Sequence, residues 1–89
     1  VKIVFTEKAW ENYLYWVEND LVVLEKINLL IREIRRDPFR GLGKPEPLRG
    51  NLSGYWSRRI TGKHRLVYHL KGKPDQVLTI IQARFHYDE

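Results

Sequence analysis

Apolar and polar positions change period along this chain, and the changes mark its elements. Lys2-Ile3-Val4-Phe5 reads as a short first strand. Thr6 follows as a helix N-cap, its hydroxyl able to accept from the free amides of a first turn. Trp10, Tyr13, Leu14 and Val17 then fall at i, i+3, i+4 and i+7, which predicts a helix with one apolar face. Asn19-Asp20 interrupts the pattern, and Asp20 is placed to cap a second helix. Leu24, Ile27, Leu30, Ile31 and Ile34 form that helix's buried stripe, with Glu25, Lys26, Arg32 and Glu33 outward. Asp37-Pro38 stops it. So short a link predicts an antiparallel helical hairpin.

Residues 39–54 hold Gly41, Gly43, Gly50 and Gly54 with Pro45 and Pro47, and read as loop with a brief strand near Leu48. Three strands are expected at 55–60, 65–70 and 76–83, separated by turn chemistry at 61–64 and 71–75. The order β-α-α-β-β-β predicts an α+β fold, one small domain over 1–89. Its sheet is expected to be twisted and mainly antiparallel, with the helical hairpin on one face. Alternation puts Leu66, Tyr68 and Leu70 on one side of their strand and Arg65, Val67 and His69 on the other. Helices cover one side only, so a half-open face carrying Arg59 and Arg65 is expected. Alternation alone does not decide which of Arg58 and Arg59 faces that way.

Eighty-nine residues, 43% of them hydrophobic, leave room for one core. There is no cysteine, hence no disulfide framework or thiolate zinc site, which fits a reducing cytoplasm. No apolar run reaches the length of a membrane span, and no segment reads as a signal peptide. The net charge of +5 is uneven. Residues 1–31 carry three Lys/Arg against five Asp/Glu, and residues 32–89 thirteen against six. Such a field suits an anionic partner such as nucleic acid, or else is a solvated basic surface.

Within the basic part, Glu46 stands between Pro45 and Pro47, which keep it out of any helix. Cleavage of RNA by its own 2′-hydroxyl needs a base, an acid for the leaving 5′-oxygen and cations for the phosphorane. Glu46 is a candidate base. His86 is a candidate acid, since imidazole titrates near neutrality. Arg65 and Arg59 are candidate phosphate ligands, and Tyr87 can stack or hydrogen-bond. Each has a plainer reading. Glu46 pairs with Lys44 or Arg49, Arg65 is a solvated strand arginine, and His86-Tyr87 is a frayed end. His64 and His69 read as structural, and Trp10, Tyr13 and Trp16 as helix packing. Spacing offers no metal site.

Taken together, Lys44-Pro-Glu-Pro-Leu48, Asn51-Leu-Ser-Gly-Tyr-Trp-Ser-Arg-Arg-Ile60, His64-Arg-Leu-Val-Tyr68 and His86-Tyr87 resemble the YoeB branch of the RelE/YoeB toxins. Tyr13-Leu14-Tyr15-Trp16 and Arg35-Arg36-Asp37-Pro38-Phe39 look like the same family, so the likeness spans nearly the whole chain. It implies a RelE-like fold and a type II toxin that cuts mRNA in the ribosomal decoding site. The implied ends are a 2′,3′-cyclic phosphate and a 5′-hydroxyl, formed without a metal or other cofactor.

By resemblance Glu46 is the general base, His86 the general acid and Arg65 the phosphate ligand. Tyr87, Arg59, Arg49 and Lys44 support them in binding substrate. The implied partners are the ribosome, mRNA and a YefM/Axe-like antitoxin, acidic and partly disordered, that folds on the basic surface and blocks the His86 end. Operator DNA is reached only through the toxin–antitoxin complex, and a homodimer through the first helix's aromatics stays open. A cytoplasmic location follows, with no membrane partner. Two rivals share the shape: a translation inhibitor that binds ribosomes without cutting, and a gyrase poison of the ParE kind. A DNA-binding regulator is disfavoured, because no helix presents a basic recognition face. Two departures stand out: Asp88-Glu89 after the His-Tyr pair, expected to raise the pKa of His86 or compete with phosphate, and a long 71–75 loop whose lysines either add ribosomal RNA contacts or are neutral surface variation.

Overall fold

The computed structural model describes residues 1–72 and 75–87. The expectations for Asp88-Glu89, and for part of the 71–75 loop, lie outside the described residues.

Strand β1 spans Lys2–Phe5 and feeds helix α1, Glu7–Asn19. Thr6 caps α1 by accepting from the Ala9 amide. Asp20 alone separates α1 from α2, Leu21–Arg36, and its carboxylate accepts from the amides of Val22 and Val23. One short capping residue thus ends one helix and starts the next. The Tyr13 hydroxyl donates to Asn28 Oδ1 across the hairpin at 2.7 Å. Helix α2 stops where Asp37 precedes Pro38, as the pre-proline restriction requires.

The remaining strands are β2, Glu46–Pro47; β3, Trp56–Arg59; β4, Arg65–Lys71; and β5, Val77–Gln82. A single 3₁₀ turn, Gly50–Leu52, lies between β2 and β3. The five strands order as β1-β5-β4-β3-β2. Neighbours are antiparallel except β1, which adds to the far edge of β5 in parallel, so the sheet is mixed. The sequence had no signal for that parallel partner, because a four-residue strand pairs wherever the following helices carry it.

The core lies between the helices and one sheet face. Ile27, Leu30, Ile31 and Ile34 of α2 pack with Leu66, Tyr68, Leu78 and Ile80. Helix α1 departs from its expected stripe. Trp10, Leu14 and Val17 are exposed, and the buried side is Ala9, Asn12 and Trp16, with Tyr13 at its margin. The reason is polar. Asn12 Oδ1 accepts from the Ala83 amide at 3.0 Å, while the Trp16 indole donates to the Ala83 carbonyl at 2.8 Å. These two bonds satisfy the backbone just beyond β5, and they rotate α1 away from its most apolar face.

Arg58 is wholly buried on the helix side of the sheet, its backbone paired with Leu66. Its Nε donates to the Tyr68 hydroxyl, Nη1 to the Leu42 carbonyl, and Nη2 to those of Asp37 (2.6 Å) and Arg40 (2.9 Å). The Tyr68 hydroxyl in turn donates to the Pro38 carbonyl at 2.7 Å, and burial raises its pKa above 10.0. One guanidinium therefore gathers the loop after α2. Gly43 completes the packing at φ +86°: a Cβ there would lie 2.8 Å from Leu30 and 3.1 Å from the Arg58 side chain.

Replacing Arg58 with Met leaves these buried acceptors unpaired. Urea unfolding is expected to show a loss of about 3 kcal/mol, given roughly 1–3 kcal/mol for each such group. A loss within about 0.5 kcal/mol, the range of ordinary surface changes, would mean the loop does not depend on Arg58.

Candidate active site on the open sheet face

Register places the site. Residues paired across neighbouring strands share a face. Glu46 pairs with Ser57, Ser57 with Val67, and Val67 with Gln82, giving a row across β2, β3, β4 and β5. Arg59 pairs with Arg65 two positions further along the same face. This is the side opposite the helices.

The face is less open than expected, because the chain after β5 turns back across it. The Arg65 amide donates to the Phe85 carbonyl at 3.0 Å, and the Gln82 amide nitrogen reaches the carbonyls of Arg84, Phe85 and His86. Phe85 takes a left-handed conformation with φ 68°, uncommon for a bulky residue. The segment ends with the Tyr87 hydroxyl donating to Glu46 Oε1 at 2.7 Å, a contact between residues 41 positions apart. The rings of His86 and Tyr87 lie tilted against each other, centroids 5.4 Å apart. His86 is therefore part of an ordered turn beside the Glu46 loop, not a frayed end.

Glu46 is exposed, and among the described residues its partner is Tyr87 and neither Lys44 nor Arg49. Lys44 (φ 51°), Arg49 and Arg59 are all exposed cations. Arg65 differs from the solvated strand arginine of its plainer reading. It is 8% exposed, and its Nη1 donates to the carbonyls of Thr61, Gly62 and His64, tying off the β3–β4 turn. That leaves Nε and Nη2 as the edge without a described partner.

The structure gives His64 the structural role its sequence reading assigned, and brings in Gln82 and Arg84, which that reading passed over. His64 Nδ1 accepts the Phe85 amide at 2.8 Å, and its ring packs edge-on against Trp16 of α1. The Arg84 guanidinium lies 3.4 Å from the Tyr15 ring centre and 4.4 Å from that of Phe85. Gln82 and Arg84 carried no signal in the sequence, since their roles depend on a turn made by the residues they hold. Among the described residues no three His, Asp or Glu side chains gather as a metal would need. Among the described residues, no helix is long and apolar enough to cross a membrane.

Two helices on a mixed five-stranded sheet, with a basic open face closed by its own C-terminal turn, define the RelE-like class of small toxins. A family profile described as "YoeB-like toxin of bacterial type II toxin-antitoxin system" matches residues 5–87. Toxin YoeB of Streptomyces coelicolor is 58% identical over 98% of this chain and 100% of its own length. Toxin YoeB of Escherichia coli K12 is 53% identical over the same shares. The solved structure of the YoeB/ParE toxin from Agrobacterium tumefaciens superposes with a TM-score of 0.95 at 54% identity, covering 98% of this chain and 100% of that one. Staphylococcus aureus YoeB, solved as a dimer, gives 0.88 at 42%, and in a heterotetrameric YoeB–YefM complex 0.87 at 41%, each covering 98% of both chains. The chain belongs to the YoeB-like toxins.

As an acceptor at Nδ1, His64 is neutral. Burial, then Arg84, Lys63 and Arg65, lower its pKa below the ordinary 6.5, and burial and Lys71 lower that of His69. The unfolded chain therefore takes up these protons first, so stability falls as pH drops through 6.5 and levels off below the folded values. Urea midpoints from pH 7.5 to 5 (roughly spanning the ordinary histidine range) should decline, and less steeply in His64→Gln. An equal slope in that variant would remove His64 as a cause.

Proposed function

We propose that this toxin is a ribosome-dependent endoribonuclease that cuts mRNA in the decoding site. The observation that carries the reading is the 2.7 Å bond from Tyr87 to Glu46, which puts the His86-Tyr87 turn beside a rigid carboxylate on a basic face. With Oε1 held by Tyr87, Oε2 of Glu46 takes the proton of the 2′-hydroxyl. The 2′-oxygen bonds to phosphorus and the bond from phosphorus to the 5′-oxygen breaks. His86 gives that oxygen a proton, so the ends are a 2′,3′-cyclic phosphate and a 5′-hydroxyl. The Nε/Nη2 edge of Arg65 offers two parallel donors to the phosphorane, with Arg59 across from it. Lys44 and Arg49 flank the Glu46 loop and hold the message backbone. No step calls on a metal or cofactor.

The partners follow from the same reading. The message and ribosomal RNA meet the basic face, in the cytoplasm where ribosomes translate. A YefM-like antitoxin with acidic, partly disordered segments silences the toxin by covering that face, and the pair, not the toxin alone, binds operator DNA. The Staphylococcus aureus complex and dimer support an antitoxin partner and a homodimer as assemblies open to this chain.

Cutting of a translated reporter message on purified ribosomes tests the proposal. Wild type is expected to cleave in the decoding site, with the rate down about 10²–10⁴-fold in Glu46→Gln and in His86→Gln, the usual worth of a general base or acid. Translation that stops over an intact message would instead establish an inhibitor acting by occupancy. Loss of gyrase supercoiling with ribosomes unaffected would point to the ParE-like activity.

A further inference from the structure

Strand β5 carries one irregularity. Tyr68 pairs with Ile80 but Val67 pairs with Gln82, so Ile81 is an extra residue in the ladder. Strict alternation would put Gln82 on the same side as Ile80, facing the helices. The bulge turns it to the open face beside Val67. There it is 9% exposed, with Nε2 2.9 Å from the Arg84 carbonyl, 3.1 Å from that of Phe85 and 2.8 Å from that of His86. Three successive carbonyls of one turn thus converge on a single amide nitrogen. The next side chains along that turn are those of His86 and Tyr87.

Other contacts fix the start of the turn, and Gln82 grips its backbone further on, ahead of the Tyr87–Glu46 bond. Arg84 lies against Tyr15 of α1, and the Phe85 amide donates to His64 Nδ1. Beyond the Phe85 carbonyl, the His86 carbonyl is held by Gln82. Phe85 stays at positive φ only while its surroundings hold it there.

We propose that Gln82 is the positioning residue of this site: its amide locks the 84–87 turn and so sets where His86 and Tyr87 stand relative to Glu46. The inference rests on the reading of His86 as general acid. Gln82 touches no reacting atom and acts through the backbone it grips. Its chemistry is specific, because all three partners are acceptors. Glutamate at the same length would face oxygen with oxygen, and methionine would offer no donor.

The test compares wild type with Gln82→Glu and Gln82→Met, both close in size to glutamine and so least disturbing to the fold. Single-turnover cutting on programmed ribosomes is measured at saturating and sub-saturating toxin. One message is normal, and another has sulfur in place of the scissile 5′-oxygen, a leaving group that needs no proton. Both variants should bind ribosomes as wild type does, yet cut the normal message about a hundredfold more slowly at saturation, the cost of a misplacement near 1 Å. On the sulfur message they, and His86→Gln, should recover close to the wild-type rate. In the free protein, ¹⁵N heteronuclear NOEs of residues 85–87 should fall from core-like values in both variants.

An unchanged rate on the normal message overturns the proposal, as does a defect of equal size on the sulfur message, or unchanged NOEs. A His86→Gln variant that cuts normally overturns it too, while leaving the endonuclease standing. A wild-type protein that does not cut brings down the endonuclease reading and this one with it.

Discussion

A guanidinium buried beneath a loop is the interaction on which the rest of this structure leans. Removing a charge from water is expensive unless its hydrogen-bonding capacity is met in place. Arg58 meets it with the Tyr68 hydroxyl and the carbonyls of Asp37, Arg40 and Leu42. Those carbonyls belong to the stretch that leaves α2 without regular structure, and their own polar groups need partners once covered. Each side solves the other's problem. The loop is thereby fixed in the one path that brings its far end to the sheet. There the Arg59 amide donates to the Gly43 carbonyl at 2.6 Å, and Glu46 enters the edge of β3 opposite Ser57. The carboxylate on which the proposed chemistry depends is thus located by an arginine on the opposite face of the sheet.

The second half of the site is built by the same kind of exchange. The turn after β5 has no ladder to satisfy it, so its amides and carbonyls find side chains: Asn12 and Trp16 at Ala83, His64 at Phe85, Gln82 at residues 84 to 86. Helix α1, the β3–β4 turn and β5 all contribute. A short terminal segment would be poorly ordered on its own. Here it closes on Glu46 because five side chains and one strand amide fix it. The histidine among them accepts its hydrogen bond only when neutral, and burial first, then the cations around it, favour that form. Basic residues on this face therefore serve two ends: they suit a phosphate-bearing partner, and they hold a structural imidazole uncharged.

Much of the scaffold could be read before any coordinates. The caps at Thr6 and Asp20, the stop at Asp37-Pro38, the α2 stripe and the last three strands depend on neighbours within a few positions, and such patterns are written locally. The exclusion of Glu46 from a helix is local too. The helix α1 stripe was misjudged for the opposite reason. Apolar spacing favoured Trp10, Leu14 and Val17, while two hydrogen bonds to a backbone 67 and 71 residues away turned Asn12 and Trp16 inward instead.

The sequence alone determined which elements form, roughly where they end, and which residue types are present to hold a phosphate and move a proton. Local sterics and periodicity suffice for that. Tertiary structure decided which of two adjacent arginines is buried, that β1 joins β5 in parallel, that Ile81 bulges, and that residues 84–87 fold back to meet Glu46. Those outcomes depend on register and on polar groups from distant segments satisfying one another, and a one-residue change in pairing sends every side chain to the other face. Assembly of the site is therefore a property of the folded sheet, to which no single motif is privy.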